Sequence, residues 1–243
     1  GFTGLEVITS LPQRVKAYVP NTSGFNFFLI ERSTVLASNY SADAQRYIVD
    51  HLKATGIQLL LGEDVERIET GKIVLKKGKS IDSDTVIWTT GLEASPLTAS
   101  LKGERNESGR LCVDKFLRLP AYHNVFVAGD AAKVLVDDRN YAVMSCQHAI
   151  PQGRFAGHNA VNSLFNEAPI SYSQPRYVTC LDLGIDNALF TAGWERSVKM
   201  VGPDAKTLKN QIVTQWIYPA RDIAETIKMS APKVLTYQKH EQA

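Results

Sequence analysis

The chain has 243 residues, 44% of them hydrophobic and 21% charged, with 27 Lys and Arg against 25 Asp and Glu. A net charge of +2 gives no electrostatic footprint for nucleic acid, and no apolar run approaches the roughly 18–20 residues of a membrane-spanning helix. Three widely spaced cysteines, Cys112, Cys146 and Cys180, form neither a disulfide framework nor a metal-ligand pattern, and such a sparse set fits a reducing compartment.

In chain order, Gly1-Phe2-Thr3-Gly4 reads as the back half of a glycine-rich loop, so the strand feeding it is expected upstream of the chain. Leu5, Ile8, Leu11 and Val15 have helical spacing, with Pro12 as an expected kink or break. Residues 25–31 predict a buried strand ending at Glu31. A helix follows, with Ser41 as N-cap, Ile48, Leu52 and the Lys53 stem on one face, and Gly56 at its C-terminus. Residues 57–62 predict another buried strand. Residues 64–91 predict strand, turn, strand, turn, strand, with turns at Thr70-Gly71 and Lys77-Gly78. The last of these delivers Thr89-Thr90-Gly91 to a turn.

From Leu92 to Glu107 the chain reads as loop. Residues 111–119 alternate as a strand should, and Val125–Ala128 predict a short buried strand ending in Gly129-Asp130. Residues 145–165 predict one helix with Pro151 near its start. Ala149, Gly153, Ala156, Gly157 and Ala160 run along it, which predicts close packing. Beyond about Ala168 come three short strands, a helix capped at Asp204 and stopped by Pro219, and a short last helix near residues 221–229.

Three stretches carry chemistry. A glycine-rich turn at a helix start lets backbone N–H groups approach a pyrophosphate. Glu31, at the next strand end and 27 residues from Gly4, is placed to accept from ribose hydroxyls and would repel a 2′-phosphate, which favours NADH over NADPH; Arg32 beside it blunts that preference. The Gly129-Asp130 carboxylate can hold polyol hydroxyls, and the alanines after it let backbone lie close to a flat ligand. Taken singly, each is also an ordinary strand end, turn or helix start.

Together and in this order they resemble the two-dinucleotide-binding-domain flavoproteins, in which an NAD domain is inserted into an FAD domain. Gly1 to Glu6 match the end of the NAD loop, Thr89-Thr90-Gly91 the return motif, and Val125 to Asp130 the second FAD motif. Glu6, the segment Ser145–Gly153 and the tail resemble the type II NADH dehydrogenases. Cys146 and Pro151 depart from the alanine and glutamine common there. The resemblance implies an α/β fold with Rossmann-like NAD- and FAD-binding domains, incomplete at the start, and a small α+β domain. The boundaries expected are 1–92, 93–165 and 166–243.

It further implies FAD and NADH as cofactors and a hydride passed from NADH to flavin and on to a quinone or similar acceptor. The implied cofactor-binding residues are Gly1, Phe2, Thr3, Gly4, Glu31, Thr90, Gly91, Gly129, Asp130, Gln147, His148 and Ala149. Glu6, Gln147 and His148 are expected nearest the chemistry. Glu6 could equally complement the helix dipole from the first turn, and His148 could be a structural hydrogen-bonder rather than a proton relay. Cys146 reads as packing. Sulfide:quinone and disulfide-type reductases are alternative enzymes, and a non-catalytic nucleotide- or partner-binding fragment is the alternative class. The mildly basic segments 206–219 and 221–235 read first as helices packed against their own domain or a second copy of the chain, with contact to a membrane surface as the alternative, so the expected location is cytoplasmic and the alternative peripheral at the cytoplasmic membrane face.

Overall fold

The computed structural model describes residues 1–19 and 24–234. Helix α1 (Phe2–Tyr18) runs unbroken through Pro12, followed by strand β1 (Phe28–Glu31), helix α2 (Ala42–Ala54) and strand β2 (Gln58–Leu61). β1 and β2 pair in parallel, Phe28 opposite Gln58 through Glu31 opposite Leu61, so α2 is the crossover of a βαβ unit. Its formation follows from local rules. The Ser41 side chain accepts from the Ala44 N–H, Asp43 complements the first turn, and Gly56 takes a left-handed φ of +76° just past the end. Ala44, Ile48 and Leu52 recur at every fourth position and are fully buried. Lys53, expected to add its stem to that face, is exposed.

β3 (Val65–Glu69), β4 (Lys72–Leu75) and β5 (Ser80–Asp82) form an antiparallel meander. Ile73, Leu75 and Ile81 pack against Phe28, Ile30 and Leu60. The buried strand expected at Val86–Trp88 is not formed. No described strand runs beside it, and Val86, Ile87 and Trp88 are all exposed. β-branched and aromatic residues favour a strand only where a neighbouring ladder takes up their amides.

β6 (Leu111–Cys112) and β7 (Ala132–Lys133) form a short parallel pair, around which Leu111, Leu119, Val127 and Ala132 are buried. The strands expected over 111–119 and 125–128 shrink to β6 and one bridge between Arg118 and Phe126. Helix α3 (Cys146–Phe165) starts after Ser145 as its sequence requires, and Asn166 ends it in the left-handed region. The close packing expected along its small residues occurs at Ala149, which meets the Gly129 turn, and at the buried Ala156, whereas Gly153 and Gly157 face open space.

β8 (Val178–Asp182), β9 (Ala188–Ala192) and β10 (Ser197–Val201) make an antiparallel sheet in the order β10-β9-β8. Helix α4 (Gly202–Gln211) begins before the expected cap Asp204, which lies in its first turn, and passes into a π-type turn, Ile212–Trp216. Helix α5 (Ile223–Met229) is capped by Asp222. No described helix is long and apolar enough to cross a membrane.

The chain divides into two compact units. One is Gly1–Gly91 with Tyr177–Thr214; the other is Leu92–Arg176 with the described residues from Gln215 on. The first division falls between Gly91 and Leu92, where the expected boundaries were 92/93 and 165/166, and the described part of 166–243 is shared between the units; residues 235–243, including the end of the segment 221–235, lie outside the described residues. The reason is burial: Leu181, Leu183 and Leu189 share one core with Leu5 and Ile8 of α1 and with Ile48 and Leu52 of α2.

Candidate functional site

In the first unit the candidate residues gather at the start of α1. Gly1 is the N-cap with no capping side chain, and the first turn holds no acidic residue. The first intrahelical bond is Leu5 N–H to Gly1 O at 3.1 Å, so the N–H groups of Phe2, Thr3 and Gly4 have no helical acceptor. Gly4 is buried, and a Cβ there would stand 2.8 Å from Thr89 Oγ1. Glycine is required by this approach of α1 to residues 89–91. Thr89 makes it; Thr90 and Gly91, the members of the trio expected at the site, are exposed, Gly91 with φ +84°.

Glu31 lies where its sequence position suggested, at the carboxyl end of β1. Its Oε2 lies 3.4 Å from the Gly1 nitrogen and its Oε1 accepts from Ser33 N–H at 3.0 Å. The Ser33 N–H is the main reason its pKa is held below the ordinary carboxylate value, and burial opposes this. The result is an ionised acceptor beside the open helix start.

Glu6 is held by residues of β8 and α4. It lies beyond the first turn of α1, so it does not complement the dipole there. Its Oε1 accepts from Lys209 Nζ at 2.7 Å and from Asp182 N–H at 2.9 Å. Asp182 in turn pairs with Lys206 at 2.7 and 2.8 Å, while Lys209 also donates to Cys180 O and lies 5.7 Å from the Phe2 ring centroid. Glu6 thus ties α1 to β8 and α4. Lys209 and Asp182 lie more than 170 residues along the chain from Glu6, and no local pattern announces them.

In the second unit, a one-turn 3-10 segment, Gly129–Ala131, carries Gly129-Asp130 against the start of α3. Gly129 has φ +66°, and its N–H donates to Gln152 Oε1 at 2.7 Å. A Cβ on Gly129 would meet Ala149 Cβ at 3.4 Å, so turn and helix are in contact. Asp130 is exposed. Ser145 makes no side-chain cap, and the first turn of α3 is free of acidic residues. The Ser145 O accepts from His148 N–H at 3.1 Å and from Ala149 N–H at 2.9 Å, and the Cys146 N–H, at the first helical position, has no helical acceptor.

Pro151 has a clear local consequence. Having no N–H, it cannot bond Gln147 O, and the buried Gln174 supplies the missing donor, Nε2 to Gln147 O at 3.1 Å. Gln152, fully buried, was legible only as a matching letter in a motif; its work is to clamp the Gly129 amide.

His148 is 1% exposed, and its Nδ1 is 3.0 Å from Ser145 Oγ. Burial first, and the charge of Arg110 second, push its pKa down to about 4. A relay needs a group that titrates near neutrality, so the structure places His148 as a neutral hydrogen-bonder. Cys146, expected as packing, is exposed: at the first helical position its side chain has nothing above it. Among the described residues no cluster of His, Cys, Asp and Glu could hold a metal.

Two α/β units, each with a helix start left open beside a glycine turn, define a nucleotide-binding oxidoreductase architecture. Residues 1–153 match the family described as pyridine nucleotide-disulphide oxidoreductase, and the chain belongs to that family. It is similar to a NADH dehydrogenase-like protein of Mycobacterium tuberculosis, 37% identical over 238 residues, which are 96% of this chain and 60% of that protein. The type II NADH:quinone oxidoreductase of Haemophilus influenzae is 24% identical over 143 residues, 58% of this chain and 32% of that protein. Among solved structures, an FAD-dependent pyridine nucleotide-disulphide oxidoreductase from Desulfovibrio vulgaris shares the fold at TM-score 0.61 and 18% identity, over 79% of this chain and 47% of that one. The chain therefore spans about 60% of the length of its mycobacterial relative.

Proposed function

We propose that the whole protein is an FAD-dependent NADH dehydrogenase delivering electrons to a quinone, and that this chain holds NADH in its first unit and faces the flavin with its second. One observation carries the reading. Among the described α-helices, α1 and α3 alone have a first turn with neither a capping side chain nor an acidic residue. These are the two that the family's cofactors would meet. The relatives' names add support: NADH dehydrogenase-like in one case, NADH:quinone in another, FAD-dependent in a third.

The residues present fit both groups. In the first unit the open N–H groups of Phe2, Thr3 and Gly4 would hold the pyrophosphate of NADH, and Glu31 would accept from its adenosine ribose. Gly4 keeps α1 close to Thr89, and the Glu6–Lys209 pair keeps it on the sheet. In the second unit Asp130 would accept from the ribityl chain, and the Cys146 N–H, with the positive end of α3, would stabilise negative charge on the ring edge. FAD, when bound, supplies the two-electron chemistry that accepts hydride from NADH. Burial of His148 and its depressed pKa support a structural hydrogen-bonding role over a proton relay.

The test uses the full-length protein. Glu31→Ala is expected to raise the KM for NADH and narrow any preference over NADPH; an unchanged preference removes Glu31 from the ribose role. NADH oxidation with and without an added quinone reads the acceptor. The isolated 243-residue chain, if colourless and inactive in the same assay, supports a binding fragment in place of an enzyme.

A further inference from the structure

The mechanism above leaves one buried charge unused. Arg110 is 7% exposed and closes a tight turn with Asn106, its N–H donating to Asn106 Oδ1 at 2.9 Å. Its Nε donates to Ala132 O at 2.8 Å. Ala132 directly follows Gly129–Ala131 and pairs with Leu111, so the guanidinium lies along the Gly129-Asp130 turn. Its Nη2 is buried with no hydrogen-bond partner among the described residues, and no described carboxylate makes an ion pair with it. Asp130 and His148 both feel its charge.

A guanidinium held out of water without a counter-ion costs several kcal/mol as a class, and such groups persist where something else makes use of the charge. What adjoins it is specific. Gly129 touches Ala149 and is clamped by Gln152, which joins the turn to the start of α3, where the Cys146 N–H has no helical acceptor and no acidic residue offsets the positive end of the dipole. The buried cation and the positive end of the helix therefore serve one small region. Because Nη2 is covered by protein, Arg110 acts on that region through its field and not by contact.

We propose that Arg110 is a positioning residue of the flavin site, whose buried, unpaired charge biases the site toward the anionic, reduced form of the ring. The inference rests on the reading that this unit faces FAD. In a low-dielectric setting a charge several ångströms from the ring changes the balance of the two redox forms without changing the fit of either.

The experiment measures binding of FAD, oxidised and anaerobically reduced, to the flavin-free full-length protein by fluorescence and absorbance. Two variants are used. Arg110→Gln keeps a donor for Ala132 O and removes the charge; Arg110→Lys keeps the charge. Arg110→Gln is expected to lose about tenfold of the preference for reduced over oxidised FAD, equivalent to about 30 mV for a two-electron couple, while Arg110→Lys keeps it. A structural role would weaken both forms equally and lower the stability of the flavin-free chain; that result overturns the proposal. If Arg110→Gln does not fold, Arg110→Lys decides: a wild-type preference supports the charge, a lost one overturns it. If the wild-type full-length protein binds neither form, the flavin-facing reading fails and the proposal falls with it; intact binding with an unaltered Arg110→Gln preference sinks the proposal alone.

Discussion

His148 makes the chain sensitive to acid in a way that can be worked out from its surroundings. Its imidazole is 1% exposed, and burial, reinforced by the Arg110 charge, lowers its pKa from 6.5 to about 4. A depressed histidine pKa means that the unfolded chain takes up the proton first as pH falls. Stability is thus unaffected above about pH 6.5, falls as pH drops from there, and reaches its full deficit below about pH 4. The loss from this one residue is about 2 kcal/mol at pH 5 and about 3 kcal/mol at pH 4. Carboxylates add their own dependence, so the measurement is a difference. Urea unfolding of the wild-type chain and of His148→Asn is followed from pH 7 to pH 4, with the His148 ring titrated by NMR. The gap between the two proteins should shift by those amounts in favour of His148→Asn. A constant gap, or a His148 titration near 6.5, would falsify the burial argument.

Further outcomes follow from particular contacts. Gly4→Ala gains about 1 kcal/mol of helix propensity but sets a Cβ 2.8 Å from Thr89 Oγ1, a strain of about 1–3 kcal/mol, so the net is a loss; adding Thr89→Ala should restore stability in thermal unfolding, and a plain additive result would count against the clash. Glu6→Gln and Lys209→Met should each cost about 1–2 kcal/mol, discounted for partial exposure, and a double-mutant cycle should show coupling between them; zero coupling would remove the tie between α1 and α4. Asp130→Ala in the full-length protein should weaken flavin retention through purification, and undiminished flavin content would exclude Asp130 from the ribityl role.

Local elements were readable where a periodic pattern met its own cap. Ser41, the spacing Ala44-Ile48-Leu52 and Gly56 announce α2, and the short apolar runs of the tail announce β8 to β10. Segments whose state depends on a neighbour were not readable. Val86–Trp88 has the composition of a buried strand and forms none, and Val125–Ala128 keeps a single bridge. The small residues of α3 gave the same false impression, since a glycine marks close packing only if something approaches it, and nothing approaches Gly153 or Gly157.

The same division runs through the candidate site. By itself the sequence determined the open helix start at Gly1–Gly4, Glu31 at a strand end, the Gly129-Asp130 turn and the family they belong to, because each of these is a short local pattern with its own chemistry. Tertiary structure decided the rest. It turned Glu6 toward Lys209 and Asp182, buried His148 until it is neutral, placed Arg110 beside Asp130 without an ion pair, and put Tyr177–Thr214 in one core with α1 and α2. Charge state, burial and partner are set by groups distant in the chain, and in a single sequence nothing brings those groups together until the core closes.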